Sequence, residues 1–511
     1  MANSRMRSFL YLFSIVALTA TGSLLCFTSL VSPASGLIPL AWIAGFTILF
    51  FSVSYVLVSS IVYLFTRPNH LPELAATPEL PCALVYPVRN EPIGLFERID
   101  YTLGNNNLPG VKLCFLSDSD FEFLSYENGV VTRLRQKYGV GKIYYWHRKK
   151  PVERKQGNIN GWLSHHYHEF RYFMVCDADS MVPRGVLAKL LRKAEHPTNR
   201  DVAIFQTRIS IAHAKTIFSR WQEIGTRVAQ RLYIDVNQRV FGRSLSFGHG
   251  NLIRSELMLK INLPKGTLSH DIWDMVFLDA MGFRTVFCPD VVTFEESPAH
   301  FLIMRARDRR WIKGNLQTYP LLFEKESSLG ARFYVFYGLY MYLCQPVFLL
   351  WLTLSLMANT GRWGHFLLFK PILLFGQAIT MSHISMGVLA VIFLHKFVIC
   401  KTMRDLSETA YETALSSLIS LNNIVYHTLD IISLIFKSIG WVPMNKDPFE
   451  KLTLKEAAKG LWPGTLAGVA LLYLASLSDT RFFLFSLPVC LSLTVSIPVA
   501  YLTSRSGHSR S

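Results

Sequence analysis

Charge is scarce in this chain. Only 17% of its 511 residues are Asp, Glu, Lys or Arg, while half are hydrophobic. Soluble domains carry roughly a quarter charged residues, so a wholly soluble protein is a poor description. Paired cysteines are missing too: eight are present, with no C-x-x-C and no paired spacing. That argues against a disulfide framework or thiolate metal site and for buried, reduced thiols. Cys26, Cys344, Cys400 and Cys490 lie in or beside apolar segments, and Cys82, Cys114, Cys176 and Cys288 in expected strands. No nucleic-acid module accompanies the densest basic run, Arg133 to Lys155. The net charge of +17 is therefore not read as RNA or DNA binding.

Long apolar stretches take the place of charge. They run Ser8 to Val31, Gly36 to Phe65, Phe333 to Met357, Pro371 to Ile399, Trp462 to Leu477 and Phe482 to Leu502. Most approach or exceed the roughly 20 residues that cross a bilayer, and Trp462 to Leu477 is short. The first is roughly 24 residues, too long for a secretory h-region of about 7–15, so a retained span is expected. Lys and Arg are dense from Arg67 to Arg332, in the loop Lys396 to Arg404, and from Lys437 to Lys459. The positive-inside rule puts all three in the cytoplasm, together with Arg5 and Arg7. Tyr411 to Phe436 then cannot be one simple span. It carries Asn422, Asn423, His427 and Asp430, costly in lipid, and reads as an interfacial amphipathic segment. The expected layout is two spans in residues 1–66, a cytoplasmic domain in 67–330, and about four spans plus the segment near 411–436 in 331–511.

Between the spans, short apolar runs alternate with longer segments: Cys82 to Val88, Lys112 to Leu116, Lys142 to His147, Tyr172 to Cys176 and Val202 to Gln206. This alternation predicts an α/β domain with a mainly parallel sheet flanked by helices. Ligands of such sheets gather at the carboxyl ends of the strands. Polar clusters stand there: Asn90-Glu91, Ser117-Asp118-Ser119, Lys155-Gln156-Gly157-Asn158 and Asp177-Ala178-Asp179. Two carboxylates leaving one strand end suit Mg²⁺ or Mn²⁺ holding a diphosphate, because both are hard cations that prefer oxygen. Ser269-His270-Asp271 offers a separate carboxylate as a base, and Arg307-Asp308-Arg309-Arg310-Trp311 offers guanidiniums for a departing phosphate. In that order, beside a membrane, the three point to transfer from a sugar nucleotide. Asp179-Ser180 and Asp271 also have a purely structural reading as helix caps.

The domain resembles the GT-A domain of family 2 glycosyltransferases, and within them the osmoregulated periplasmic glucan glucosyltransferase H family. The resemblance rests on Pro87 to Glu91, Leu116 to Ser119, Arg154 to Ile159, Asp177 to Ser180, Gly248 to Asn251, Leu268 to Asp271, Phe294 to Pro298 and Arg307 to Leu316. It implies a metal on Asp177 and Asp179, with Asp177 also touching the donor, and a nucleotide contacting Asn90, Glu91, Asp118 and Lys155. It further implies Asp271 as general base, Arg307 and Arg310 on the diphosphate, and Trp311 beneath the acceptor sugar. A bilayer-anchor reading of Trp311 stands beside that one. His270 is expected to orient its neighbour, and His249 and Asn251 to line the acceptor end. The expected activity is an inverting transfer from UDP-glucose, building a β-glucan, β-1,2-linked by resemblance, at the bacterial inner membrane. Export between the spans and a periplasmic glucan-processing partner are further implications. Another donor sugar, a lipid acceptor, or a transporter or scaffold with an inactive domain are the alternatives. The long N-terminal extension of many family members is not seen here, and Trp441-Val442-Pro443-Met444 stands where cellulose synthases have a gating loop.

Overall fold

The computed structural model describes residues 2–30, 37–91, 94–360, 370–374, 377–436 and 447–506. The Trp441–Met444 segment lies outside them.

All five expected strands form, and two more join them. The seven-stranded sheet runs in the order β3-β2-β1-β4-β6-β5-β7. Its strands are β1 (Cys82–Val88), β2 (Val111–Ser117), β3 (Ile143–His147), β4 (Tyr172–Val175), β5 (Val202–Ile211), β6 (Asn251–Arg254) and β7 (Arg284–Glu295). Only β6 runs against the others. Helices cover both faces, so β1 and β4 are buried almost throughout, as apolar runs without strict alternation require. One apolar cluster holds Leu84, Tyr86, Phe115 and Met174 on one side, and another holds Val85, Leu116, Trp162 and Phe173 on the other.

β7 is the longest strand and the least legible. Pro289 interrupts it where its pairing with β5 skips from Cys288–Thr207 to Val292–Arg208. A proline at a bulge leaves no broken ladder bond, which is how twelve residues stay one strand. The last residues of β7 reach past the sheet and clasp the loop after β4. Met181 N–H donates to Phe294 O at 2.8 Å, and Phe294 N–H returns to Met181 O at 2.9 Å.

Among the described residues, four helices are long and apolar enough to cross a membrane: Arg5–Ser29, Leu37–Phe65, Leu329–Asn359 and Met381–Ile399. A fifth arises if Thr480–Thr494 and Ser496–Thr503, bent by 60°, count as one. Apolar side chains such as Phe9, Phe13, Leu64, Leu350 and Leu466 are exposed along helices in these regions, as lipid contact demands. The stretch expected to begin at Pro371 starts its helix only at Met381, after a short hairpin of Ile372–Leu374 with Gln377–Ile379. Trp462 to Leu477 falls in a longer helix, Leu454–Ser476, whose first turns carry Lys455, Glu456 and Lys459. The 411–436 region is two helices, Met403–Ile419 and Asn423–Phe436. Of its costly polar residues, Asn422, His427 and Asp430 are buried in protein and Asn423 is half-buried.

Candidate active site

The carboxyl edge of the sheet gathers most of the expected residues. β4 ends at Val175, paired with Val85 on one side and Asn251 on the other. Because β6 runs backwards, the Gly248-His249-Gly250 turn that leads into it sits at the same edge as Asp177. Gly248 has φ +76°, a left-handed conformation that favours glycine. A Cβ there would lie 3.3 Å from Asp271 Cβ, so backbone and carboxylate approach closely.

Lys155 ties these pieces together. Its Nζ donates to Asp177 Oδ1 at 2.5 Å and to Gly248 O at 2.8 Å. Asp177, Lys155, Gly248 and Asp271 thus form a continuous run of contacts, although they are up to 116 positions apart in sequence (155 to 271). Lys155 follows two non-glycine residues in the left-handed region, Glu153 (φ 56°) and Arg154 (φ 52°). Such strain persists only where surroundings hold it. Here Arg148 does so, donating to Val152 O at 3.0 Å and Arg154 O at 3.1 Å. Glu153 in turn accepts from Gly266 N–H at 2.9 Å.

The same Arg148 grips both oxygens of Asp118, at 2.7 and 2.6 Å. Asp118 therefore braces the Lys155 loop while standing at the end of β2. Asn90, also left-handed at φ 53°, is tied into Asp120: its Nδ2 donates to Asp120 Oδ2 at 2.7 Å, and its Oδ1 accepts from Asp120 N–H at 2.9 Å. Glu91 follows directly and is half-buried.

Neither structural reading of the key aspartates matches the fold. The helix after the Asp177–Asp179 loop is Val186–Glu195, with Gly185 at its cap position, so Asp179 is not its cap. Asp179 is instead buried, with 6% exposure. Asp271 lies inside the first turn of the His270–Ala280 helix, whose cap position is Ser269. A negative charge suits that turn because the helix dipole is positive there. His270 does not reach towards Asp271; its Nδ1 lies 3.3 Å from Asp274 Oδ2, one turn along. Asn251 is buried and donates to Ser246 Oγ at 3.2 Å, within its own turn.

Arg307, Arg310 and Trp311 ride on the Phe301–Leu316 helix. Gly314 of this helix rests on Ser269, where any Cβ would overlap the serine side chain. The helix is thus pressed against the turn that presents Asp271. Arg307 lies over the Trp311 ring, 4.2 Å from its centroid, and the ring is 47% exposed. The Arg310 guanidinium is held below its ordinary pKa by burial and by Arg307, against the attraction of Asp177.

Glu295, to which no role attached at the sequence level, stands at the centre. Its carboxyl is pushed up to about 7, first by burial and then by the charges of Asp179 and Asp177; His249 and Arg307 pull the other way. His249 Nε2 lies 3.2 Å from Glu295 Oε2. The adjacent Glu296 faces elsewhere and accepts from His213 Nδ1 at 2.6 Å. Strand alternation separates the two glutamates, and that signal was available once β7 was recognised as a strand. Four carboxylates (Asp177, Asp179, Asp271, Glu295) and four cationic or polar groups (Lys155, His249, Arg307, Arg310) are therefore clustered at this edge.

Residues 172–390 match the family model described as glycosyl transferase family group 2. The chain is 26% identical over 469 residues to glucans biosynthesis glucosyltransferase H of Pseudomonas putida, covering 84% of this chain and 54% of that protein. The Pseudomonas entomophila protein of that name is 27% identical over 473 residues, with the same coverage. The Pseudomonas aeruginosa one is 25% identical, covering 83% and 53%. The chain spans about half the length of these curated relatives. Among solved structures, a mannosyltransferase from Pyrobaculum calidifontis in complex with GDP-Man and Mn²⁺ aligns with a TM-score of 0.49 and 15% identity, over 78% of this chain and 99% of that one. The matched segment encloses Asp177, Asp179, Asp271, Glu295 and Arg310, so these residues lie in the part of the chain that is similar to glycosyl transferase family group 2.

Proposed function

We propose that the protein is a membrane-integrated, inverting glucosyltransferase that takes UDP-glucose from the cytosol and extends a β-glucan, β-1,2-linked by family resemblance. The observation that carries this reading is the run of contacts from Asp177 through Lys155 and Gly248 to Asp271, with Arg310 and Glu295 beside it. The similarity over 84% of the chain to proteins named glucosyltransferase H supports the glucan assignment. The proposed location is the inner membrane, with residues 67–330 on the cytoplasmic side, and export between the spans is part of the same reading.

In the proposed reaction, Asp271 takes the proton of an acceptor hydroxyl. The freed oxygen attacks the anomeric carbon from the face opposite the diphosphate. The bond to the diphosphate breaks, its electron pair leaves with the nucleotide, and an α-linked donor yields a β-linked product. Arg307 and Arg310 meet the charge that grows on the leaving group. Trp311 offers a partly exposed ring to the acceptor. Glu91, Asn90 and Asp118 flank the nucleoside end. Although Arg148 occupies both Asp118 oxygens, a carboxylate has about four acceptor sites and keeps some for a base N–H.

The donor set fits a divalent cation. Asp177 and Asp179 are hard oxygen ligands, and their charge is sensed by Glu295. Among the described residues no group of three or more His, Cys, Asp or Glu forms a protein-only cage. Mg²⁺ characteristically takes one or two carboxylates and fills its shell with water and substrate phosphates. When bound, Mg²⁺ or Mn²⁺ would supply neutralisation of the diphosphate.

A donor screen on membranes tests the assignment, using UDP-glucose, UDP-GlcNAc and GDP-mannose with linkage analysis of the product. Incorporation from UDP-glucose into a β-linked glucan is expected. Incorporation from another donor alone would overturn the glucan reading, and none from any would favour an inactive domain.

A further inference from the structure

The helix that carries the diphosphate arginines has a second set of arginines on its other side. Successive residues of an α-helix turn by about 100°, so Arg305, Asp308, Arg309 and Ile312 share one face and Arg307, Arg310, Trp311 and Gly314 the opposite one. The second set faces the Asn423–Phe436 helix of the C-terminal region. There Asp430, 3% exposed, lies between both guanidiniums: Arg305 Nη2 is 3.3 Å from Oδ1 and Arg309 Nε 3.6 Å from the same atom. Arg305 Nε also approaches Oδ2 at 3.4 Å, and Arg309 Nη2 donates to Ser433 Oγ at 2.9 Å. Arg305 further reaches Gly460 O at 3.3 Å and lies over the Tyr426 ring. A weaker contact, His427 Nε2 to Asp308 Oδ2 at 3.7 Å, joins the same two helices.

We propose that Asp430 is a positioning residue for the diphosphate site. It fixes the rotation and axial register of the Phe301–Leu316 helix, and so the direction in which Arg307 and Arg310 point. This rests on the active-site reading above. The physical ground is twofold. A carboxylate shared by two half-buried guanidiniums cannot be removed without leaving like charges uncompensated. Arginine recognition of phosphate is directional, and misplacing a positioned group by about 1 Å costs on the order of 10²-fold. A carboxylate in the C-terminal region thereby sets the aim of arginines in the sheet domain. Its cost in an apolar segment is explained by that task.

The test uses the 511-residue chain in nanodiscs with Mg²⁺, titrated with UDP and with UMP. Asp430→Asn is expected to weaken UDP binding about tenfold while leaving UMP binding unchanged. Asp430→Glu should recover most of that loss. Combined with Arg310→Ala, Asp430→Asn should add little, because both act on one contact. Should Asp430→Asn fail to fold, Ser433→Ala, which removes only the Arg309 anchor, should show the same selectivity at smaller amplitude. Equal weakening of UDP and UMP would mark a merely structural residue and overturn the proposal. So would unchanged UDP affinity, or full additivity with Arg310→Ala. If Arg310→Ala itself leaves UDP affinity unchanged, or the unaltered chain binds no UDP, the active-site reading fails and takes this inference with it.

Discussion

Asp271→Asn should abolish transfer while leaving the nucleotide bound. A positioned base contributes about 10²–10⁴-fold to a proton transfer, and turnover should fall by that factor. The substitution keeps size and shape, so the close approach of Gly248 and the packing of Ser269 on Gly314 survive. The loss is therefore expected in kcat, with KM for the donor nearly unchanged. Initial rates of labelled hexose transfer, paired with UDP titration of the same preparation, separate the two. Wild-type turnover in Asp271→Asn would remove it as the base. A parallel loss of UDP binding would show instead that the residue organises the donor end.

Asp179→Asn should act at the other end of the crevice. Asp179 is buried beside Asp177 and Glu295, where its charge alters the neighbouring carboxyl. Removing one of two carboxylates from a cation site should lower cation affinity by at least about 100-fold, since even outer partners of a ligand cost 10–100-fold. UDP binding should then lose its dependence on Mg²⁺ or Mn²⁺, and transfer should be undetectable at millimolar cation. The contrast is Asp118→Asn. That change loosens the Arg148 fork and the strained Glu153–Arg154 turn, so it should lower stability and weaken UDP with or without cation. Isothermal titration of UDP at several cation concentrations checks both. A cation dependence unaltered in Asp179→Asn would contradict the metal assignment.

Much of this site was legible before any coordinates. The strands β1 to β5 announce themselves as short apolar runs ending in polar residues, and the strand ends then place Asp118 and Asp177 at one edge. What escaped has physical reasons. β7 contains Pro289-Asp290, which reads as a break, and only its pairing partner reveals a bulge. With β7 missed, Glu295 and Glu296 could not be assigned to opposite faces. β6 has four residues and follows a glycine-rich turn, too short to show a period. The fork between Arg148 and Asp118 joins residues 30 apart, and the one between Arg305 and Asp430 joins residues 125 apart. Neither spacing leaves a local pattern. Asp430 was costly in an apolar stretch, and lipid-surface exposure was the simplest remedy; burial against two arginines is the one the fold adopts.

The most direct measurement is a structure of the full chain with UDP and Mn²⁺, using the anomalous signal of manganese to locate the ion. The expected result is one peak touching the Asp177–Asp179 loop and the diphosphate, with Arg310 on the far side of that diphosphate and Asp271 across the crevice facing open space for an acceptor. A peak elsewhere, or UDP bound with Asp271 and Arg310 outside its cavity, would contradict a single shared reaction centre.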